Sequence, residues 1–291
     1  MSKSDQAHNQ THNIHANEVN IGKNVRISSE VEIICDKISI GDGTVIKGNS
    51  KIFCKNCEIG KNNFLVDVWI EGSLNAGNTT IKVGNECLMM QNTRLNCNAY
   101  LEIGDDVNIG QNVDIWTHAS SMNVFKGYPF TKAPVKIGSH VWITSRTTVL
   151  PGINIGSNVI IGNSSVVNKS IPDGCFAAGC PVKIIKENIF PRELTDEEVE
   201  TILKDAIVEY ESLVKMKSFI PNLQLNQNLQ VEFIVEGRTT VFDFNNRTIE
   251  GDINEFSEDF RDFLRYRGIK FYTGSPFQSI EPLWYIKALN K

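Results

Sequence analysis

The sequence predicts a mainly β protein: a parallel β-helix built from six-residue repeats, followed by a small α+β appendage. Three observations carry this. An aliphatic residue returns every sixth position, often with glycine after it, as in Ile103-Gly104, Ile109-Gly110, Ile115, then Ile137-Gly138, Ile143, Val149, Ile155-Gly156, Ile161-Gly162 and Val167. A period of six fits neither the 3.6 of a helix nor the alternation of a hairpin, but it fits a solenoid whose coil has three flat sides of one hexapeptide each. One segment, 117–134, leaves the beat, and after Pro181 the beat stops and helical spacing takes over from Thr195.

Residues 1–18 are polar and contain His8, His12 and His15, with almost no apolar residue. They are expected to be a disordered tail, in which nothing holds the histidines together as a metal site. Residues 19–187 are the expected β-helix. Its beat starts at Ile21, Ile27 and Ile33, runs through Ile40, Ile46, Ile52, Ile59 and Leu65, and resumes at Val83, Met89 and Leu95. Slips of one residue at some corners are what a bulge or a longer turn absorbs. From Ile137 onward the count is strict, with Ile137–Asn154 as one coil and Ile155–Pro172 as the next. The repeated aliphatic residue should point inward and stack on its equivalents about 4.8 Å apart. A second inward residue falls four places on, as at Val107, Val113, Val141 and Val159. Glycine and the following Asn, Asp or Ser suit corners with a tight, sometimes left-handed backbone. The open end of such a coil needs a cover.

The appendage spans 188–291. Thr195 with Glu198 three places on forms a capping box, and Val199, Ile202, Leu203, Ala206, Ile207, Tyr210, Leu213 and Val214 share one helical face, which predicts a helix ending near Lys217. Val231, Phe233 and Val235 alternate as a strand, Gly237-Arg238 turns, and Val241 lies in a second strand. A second helix, with Phe256, Phe260, Phe263 and Leu264 on one face, ends at Gly268. Its Arg261, Arg265 and Arg267 alternate with Glu258, Asp259 and Asp262, a pattern expected on a solvated face, with selection of an acidic sugar as the functional alternative.

A net charge of −5 over 291 residues argues against a nucleic-acid backbone as partner. No stretch is long and apolar enough to span a membrane, and the N-terminus lacks the apolar core of a signal peptide. Seven cysteines, an odd number spread along the chain, suit reduced thiols. A cytoplasmic protein is expected. Cys54-x-x-Cys57 has no second pair to complete a zinc site, so no metal is expected. His140 lies in a corner tetrapeptide where other repeats carry Asn or Asp, which makes it an exposed turn residue. His118 opens the segment that leaves the coil, where a rigid scaffold presents function, and imidazole can take a proton at neutral pH.

The runs Val135-Lys136-Ile137-Gly138-Ser139-His140-Val141-Trp142-Ile143, Val149-Leu150-Pro151-Gly152-Ile153-Asn154-Ile155-Gly156 and Ala177-Ala178-Gly179-Cys180-Pro181-Val182-Lys183 resemble the hexapeptide-repeat acyltransferases of the galactoside and xenobiotic acetyltransferase type. The resemblance is specific over about 103–187. It implies a left-handed winding, against the usual right-handed rule for parallel crossovers. It also implies a homotrimer with active sites between subunits, acetyl-CoA as co-substrate, and His118 as the catalytic base. Carried over by motif, Trp142, Thr144 and Ser145 border the pantetheine arm, with Thr144 in place of the usual glycine. Asn163 and Ser164 fall on the next coil, where small residues are expected. Lys169, Lys183 and Lys186 match the basic positions that meet the nucleotide end of CoA, where phosphate needs such partners.

The implied reaction is direct O-acetylation of a saccharide hydroxyl in a surface polysaccharide or glycoconjugate, a sialic acid-type sugar included. Asn92, Asp114, Trp116 and Tyr128 are assigned to the acceptor side, and Asp114 or a backbone carbonyl is expected to orient His118. An amino-sugar N-acetyltransferase is the nearest alternative, and a non-catalytic binding or assembly module is the alternative of another class. A zinc hydratase on the same scaffold needs three converging histidines, and outside the tail only His118 and His140 exist.

Overall fold

The computed structural model describes residues 13–75, 77, 79–215 and 219–271. Contacts divide it into two units, 1–191 and 192–291. In the first unit the six-residue beat becomes three parallel faces of a left-handed β-helix. On the first face the inward column runs Ile40, Ile59, Val83, Ile103, Ile137 and Ile155. The second carries Ile27, Ile46, Leu65, Met89, Ile109, Ile143, Ile161 and Ala177. The third carries Ile33, Ile52, Ile70, Leu95, Ile115, Val149 and Val167. Every one of these residues is buried, each at about 1.5–3 kcal/mol for the larger side chains. Val107, Val113, Val141 and Val159 are buried too, so each side does bring two inward groups.

Paired residues on neighbouring coils are 19 apart near the N-terminus, then 24, 20, 34 and 18, and finally 16, so the coil that starts at Ile155 closes two residues sooner than the expected Ile155–Pro172. The separation of 24 reflects a detour between strands Val68–Glu71 and Thr80–Val83; that of 34 reflects the excursion at 117–134. Inward columns stay in register across both.

The corner glycines have a cause different from the one the turn preference suggests. Gly104, Gly138 and Gly156 lack positive φ; the left-handed residue stands two places on, at Asp106 (φ 54°), His140 (φ 58°) and Asn158 (φ 57°). Glycine is required because the corners stack closely: a Cβ on Gly104 would lie 2.8 Å from the carbonyl carbon of Gly138, and one on Gly138 would lie 2.8 Å from that of Gly156. The residue after the glycine then accepts a backbone N–H from the preceding coil. Asp105 takes that of Asn85 at 2.6 Å, Ser139 that of Asp105 at 3.0 Å and Ser157 that of Ser139 at 3.1 Å; at the last corner Asp173, which follows Pro172 in place of glycine, takes that of Ser157 at 2.8 Å.

Residues 13–18, expected to belong to a disordered tail, lie in a strand. Asn13–Ile21 is a strand paired in parallel with Glu32–Ile40, Ile14 and Ala16 pack on the core, and Glu18 meets Lys37 at 2.7 Å. An outermost strand needs few apolar residues, because its neighbour's unpaired backbone recruits it. His15 lies in that strand; His8 and His12 fall outside the described residues. At the other end Lys183–Lys186 turns back antiparallel on Phe176–Ala178, which stops the parallel stack.

In the second unit Thr195 caps α1 (Asp196–Val214) with the reciprocal Glu198 bond, and the helix ends three residues earlier than the spacing predicts. Four antiparallel strands follow, Asn222–Leu225, Gln230–Val235, Arg238–Asp243 and Thr248–Gly251, two more than expected. Glu236 and Gly237, both at positive φ, make the two-residue turn between Val235 and Arg238. In α2 (Glu255–Tyr266) the expectation of a solvated charged face is overturned. Glu258, Asp259, Arg261 and Asp262 are buried beside Phe260 and Phe263. Their charges are matched locally: Arg261 lies 3.6 Å from Glu258, Arg265 2.9 Å from Asp262, and the Tyr210 hydroxyl donates to Asp259 at 2.8 Å. Arg267 pairs with Glu209, so all three arginines are engaged within the unit.

Candidate functional site

His118 does not sit on a loose loop. Thr117 is the last buried residue of its coil, and His118–Ala119 pairs antiparallel with Thr131–Lys132, closing the base of the excursion. Beyond that pair the segment holds only a short turn, Val124–Lys126, capped by Asn123, and its side chains are exposed. The half-buried imidazole is held from the neighbouring coil. Its Nδ1 lies 2.9 Å from Asn96 Oδ1 and 3.1 Å from Asn98 Nδ2, while Nε2 is 3.5 Å from Asn98 Nδ2. The amide orientations are set by other bonds. Asn96 Oδ1 accepts the Thr117 hydroxyl at 2.8 Å, and Asn98 Oδ1 accepts the Ser73 N–H at 2.8 Å. Asn96 Oδ1 makes the shortest of the three contacts; in the tautomer that donates Nδ1–H to it, the lone pair lies on Nε2, the nitrogen 3.5 Å from the Asn98 amide. Trp116 meets the ring edge-on with centroids 6.2 Å apart.

The orienting group is therefore a neutral amide, not Asp114 or a backbone carbonyl. Asp114 lies instead in an open groove of about 710 Å³ on the third face. Asn49, Asp67, Asn92 and Asn112 line one rim of it, Lys51, Trp69, Arg94 and Asp114 its floor, and Trp116 the end beside His118. The structure thus brings together Asn92, Asp114 and Trp116, three of the four residues assigned to the acceptor. Tyr128 does not join them; it is exposed in the excursion.

The residues assigned to CoA are divided. Thr144 and Ser145 form the corner between the second and third faces, and Asn163 and Ser164 lie under them, with Ser164 N–H bonded to the Ser145 carbonyl at 3.0 Å. The Thr144 hydroxyl is committed to the Ile161 carbonyl at 2.7 Å, and Ser145 packs over Gly110. Trp142 stands half exposed on the second face, in one outward row with Ile160, Phe176 and Lys186. Lys183, opposite Ala178, lies on the same last strand. Lys169 is elsewhere, past strand Val166–Val167 on the corner that His118 occupies two coils earlier. Within one chain the third face separates the Thr144–Ser164 corner from His118.

His140 is an exposed turn residue, as expected, with Nδ1 3.1 Å from Asp106 Oδ2. Cys54 and Cys57 are buried inside the coil. Hydrogen bonds to Cys54, together with burial, push the Cys35 and Cys57 thiols well above the usual range, so both stay protonated. Among the described residues no cluster of three or more His, Cys, Asp or Glu side chains is arranged to hold a metal.

Residues 134–169 match the family model described as bacterial transferase hexapeptide (six repeats). The chain is 37% identical over 109 residues to the galactoside O-acetyltransferase of Escherichia coli, covering 37% of this chain and 51% of that protein. It is 36% identical over 112 residues to a putative acetyltransferase of Saccharomyces cerevisiae, covering 38% and 57%. The chain spans about half the length of these curated relatives. A crystal structure of a hexapeptide-repeat acetyltransferase from Vibrio cholerae aligns at 22% identity and a TM-score of 0.38, covering 51% of this chain and 73% of that one. The later coils of this chain are therefore similar to hexapeptide-repeat acetyltransferases.

Proposed function

We propose that this protein transfers the acetyl group of acetyl-CoA directly to a saccharide hydroxyl, with His118 as general base. The observation that carries the reading is the imidazole held by Asn96 and Asn98, with Nδ1 2.9 Å from Asn96 Oδ1, beside a groove lined with amides, carboxylates and indoles; the tautomer with the proton on Nδ1 is the one the reaction needs. Nε2 takes the hydroxyl proton as the acceptor oxygen attacks the thioester carbonyl. Collapse expels the CoA thiolate, and the imidazolium returns the proton to sulfur. The resemblance to a galactoside O-acetyltransferase favours a sugar hydroxyl over an amine.

The Thr144–Ser164 corner, with Trp142, Lys183 and Lys186 on the adjoining face, is the proposed CoA cradle. Since one whole side of the coil separates it from His118, a second copy must bring its own corner to this His118, which favours a homotrimer with sites between subunits. Use of acetyl-CoA and six buried free thiols fit a cytoplasmic enzyme.

Acetyl-CoA consumption by the purified chain, screened over saccharides, tests the reading. His118→Ala should lower turnover by about 10²–10⁴-fold. CoA should stabilise variant and parent equally against heat, because a ligand that binds only the native state raises its apparent stability. Transfer at the parent rate in the variant would overturn the role of His118. Absence of any stabilisation by CoA in the parent would overturn the enzyme reading in favour of a binding module.

A further inference from the structure

The groove holds charges that the transfer step does not use. The Arg94 guanidinium lies 5.1 Å from the centre of the Trp69 ring, and Lys51 Nζ lies 6.0 Å from the same ring. Register puts Lys51, Trp69 and Arg94 at equivalent positions of three successive coils, so the indole sits between two cations. Arg94 is exposed, and its guanidinium makes no hydrogen bond or salt bridge among the described residues, although Asp114 is its register partner on the next coil. Among the described residues the one ion pair of Lys51 is a long contact of 3.9 Å to Glu32. Of the other acids near it, Asp67 accepts the Asn49 N–H at 2.8 Å on the rim.

We infer that Arg94 and Lys51 form a subsite for an anionic group on the acceptor, and that the acceptor is an acidic saccharide. The position of the subsite relative to the chemistry rests on the acetyl-transfer reading above; its anion binding does not. Two cations held against an indole lose little further freedom on meeting a carboxylate, and a guanidinium presents a fork that fits it. The acid between subsite and base adds polarity to the groove. Asp114 repels an anion from the His118 end and can accept sugar hydroxyls there.

Spacing relates the anionic subsite to the base. Arg94 and Asn96 lie on one strand, Thr93–Asn96, whose residues rise about 3.3 Å each. Asn96 holds His118, and Arg94 leans one coil spacing, about 4.8 Å, the other way, toward Trp69. The anion would then sit on the order of 10 Å from Nε2, by the same strand and coil spacings. With about 3 Å from Nε2 to the reacting oxygen, the remaining span of about 7 Å matches a carboxylate on a neighbouring sugar or on the far side of the reacting one.

The test uses di- and trisaccharides of uronic acid and their carboxyl-reduced counterparts, with binding followed by calorimetry and transfer by acetyl-CoA consumption. The parent should prefer the acidic form, and Arg94→Ala should weaken its binding about ten-fold or more while leaving the reduced form and the KM for acetyl-CoA unchanged. Arg94→Lys should recover part of the loss, and Trp69→Ala should give a smaller loss by freeing both cations. A parent that does not prefer the acidic form overturns the inference. So does a loss in Arg94→Ala that falls on acetyl-CoA, which would assign the cations to the phosphates of CoA. Acidic saccharide bound at Arg94 but never acetylated would overturn the transfer reading and leave the subsite standing; transfer without preference for charge would do the reverse.

Discussion

His140 and His118 occupy two corners of the same solenoid and differ in what their neighbours have left over. At the corner of His140 every polar group serves the stack. The residue after each glycine takes a backbone N–H of the preceding coil, the left-handed residue two places on turns the chain, and His140 is one of those turn residues, with its backbone N–H on the Asp105 carbonyl at 2.9 Å. At the corner of His118 the chain leaves the coil. Asn98 and Thr117 still take the Ser73 and Ala99 N–H groups of the preceding coil, but the Asn96 oxygen and the Asn98 amide nitrogen also reach one imidazole. A repeat that satisfies itself has no chemistry to spare; a repeat that is interrupted has polar groups free to orient a side chain.

The largest expected effect falls on the interrupted corner, where His118→Ala should cost about 10²–10⁴ in turnover with the coil intact. The uninterrupted corner should respond in stability alone. In Gly138→Ala the new Cβ meets Ser157 Oγ at 2.5 Å and the carbonyl carbon of Gly156 at 2.8 Å, and backbone cannot move aside without opening the stack. Overpacking of this kind costs about 1–3 kcal/mol, read as a lower midpoint of thermal or denaturant unfolding. If Gly138→Ala unfolded at the parent midpoint, the close stacking of the corners would be refuted.

The same contrast explains what the sequence makes legible. The beat is visible because burial acts on one position in six, and it predicts the three inward columns down to Ile143 and Val149. It misses the strand at 13–18, because an outermost strand is recruited by its neighbour's backbone and needs few apolar side chains, here Ile14 and Ala16. The exposed-turn role of His140 is readable from a single tetrapeptide. Asn96 is not readable from its surroundings, since its contact with His118 crosses 22 residues between coils of unequal length, and no local spacing reveals which residues the slips align. Arg94 and Trp69 are hidden for the same reason. The buried charges of α2 escape because a mixed Glu, Asp and Arg pattern reads as solvated, whereas Arg261 and Glu258 neutralise one another inside the unit.

A smaller change sharpens the role of Asn96. Asn96→Asp keeps an acceptor at 2.9 Å from Nδ1 but makes it anionic, and a carboxylate beside imidazole favours the protonated ring. The variant should still transfer acetyl groups, with the limb of its pH–rate profile that reports the base displaced to higher pH than in the parent, and so with several-fold less activity near neutrality. An unshifted profile would mean that His118 turns away from Asn96 when it works.

The smallest expected effect is the sharpest test of the comparison. His140→Asn keeps a residue at ease at φ 58°, preserves the backbone bond to Asp105, and removes the half-exposed contact to Asp106, worth about 0–1 kcal/mol. Activity should match the parent within a factor of two, and the unfolding free energy should move by no more than about 0.5 kcal/mol. His140→Val places a β-branched side chain at the same positive φ and should cost about 1–2 kcal/mol of stability while turnover of the folded fraction stays unchanged. A loss of turnover in His140→Asn comparable to that of His118→Ala, with stability retained, would show that the uninterrupted corner also takes part in the chemistry. The division between a corner that builds and a corner that reacts would then have to be abandoned.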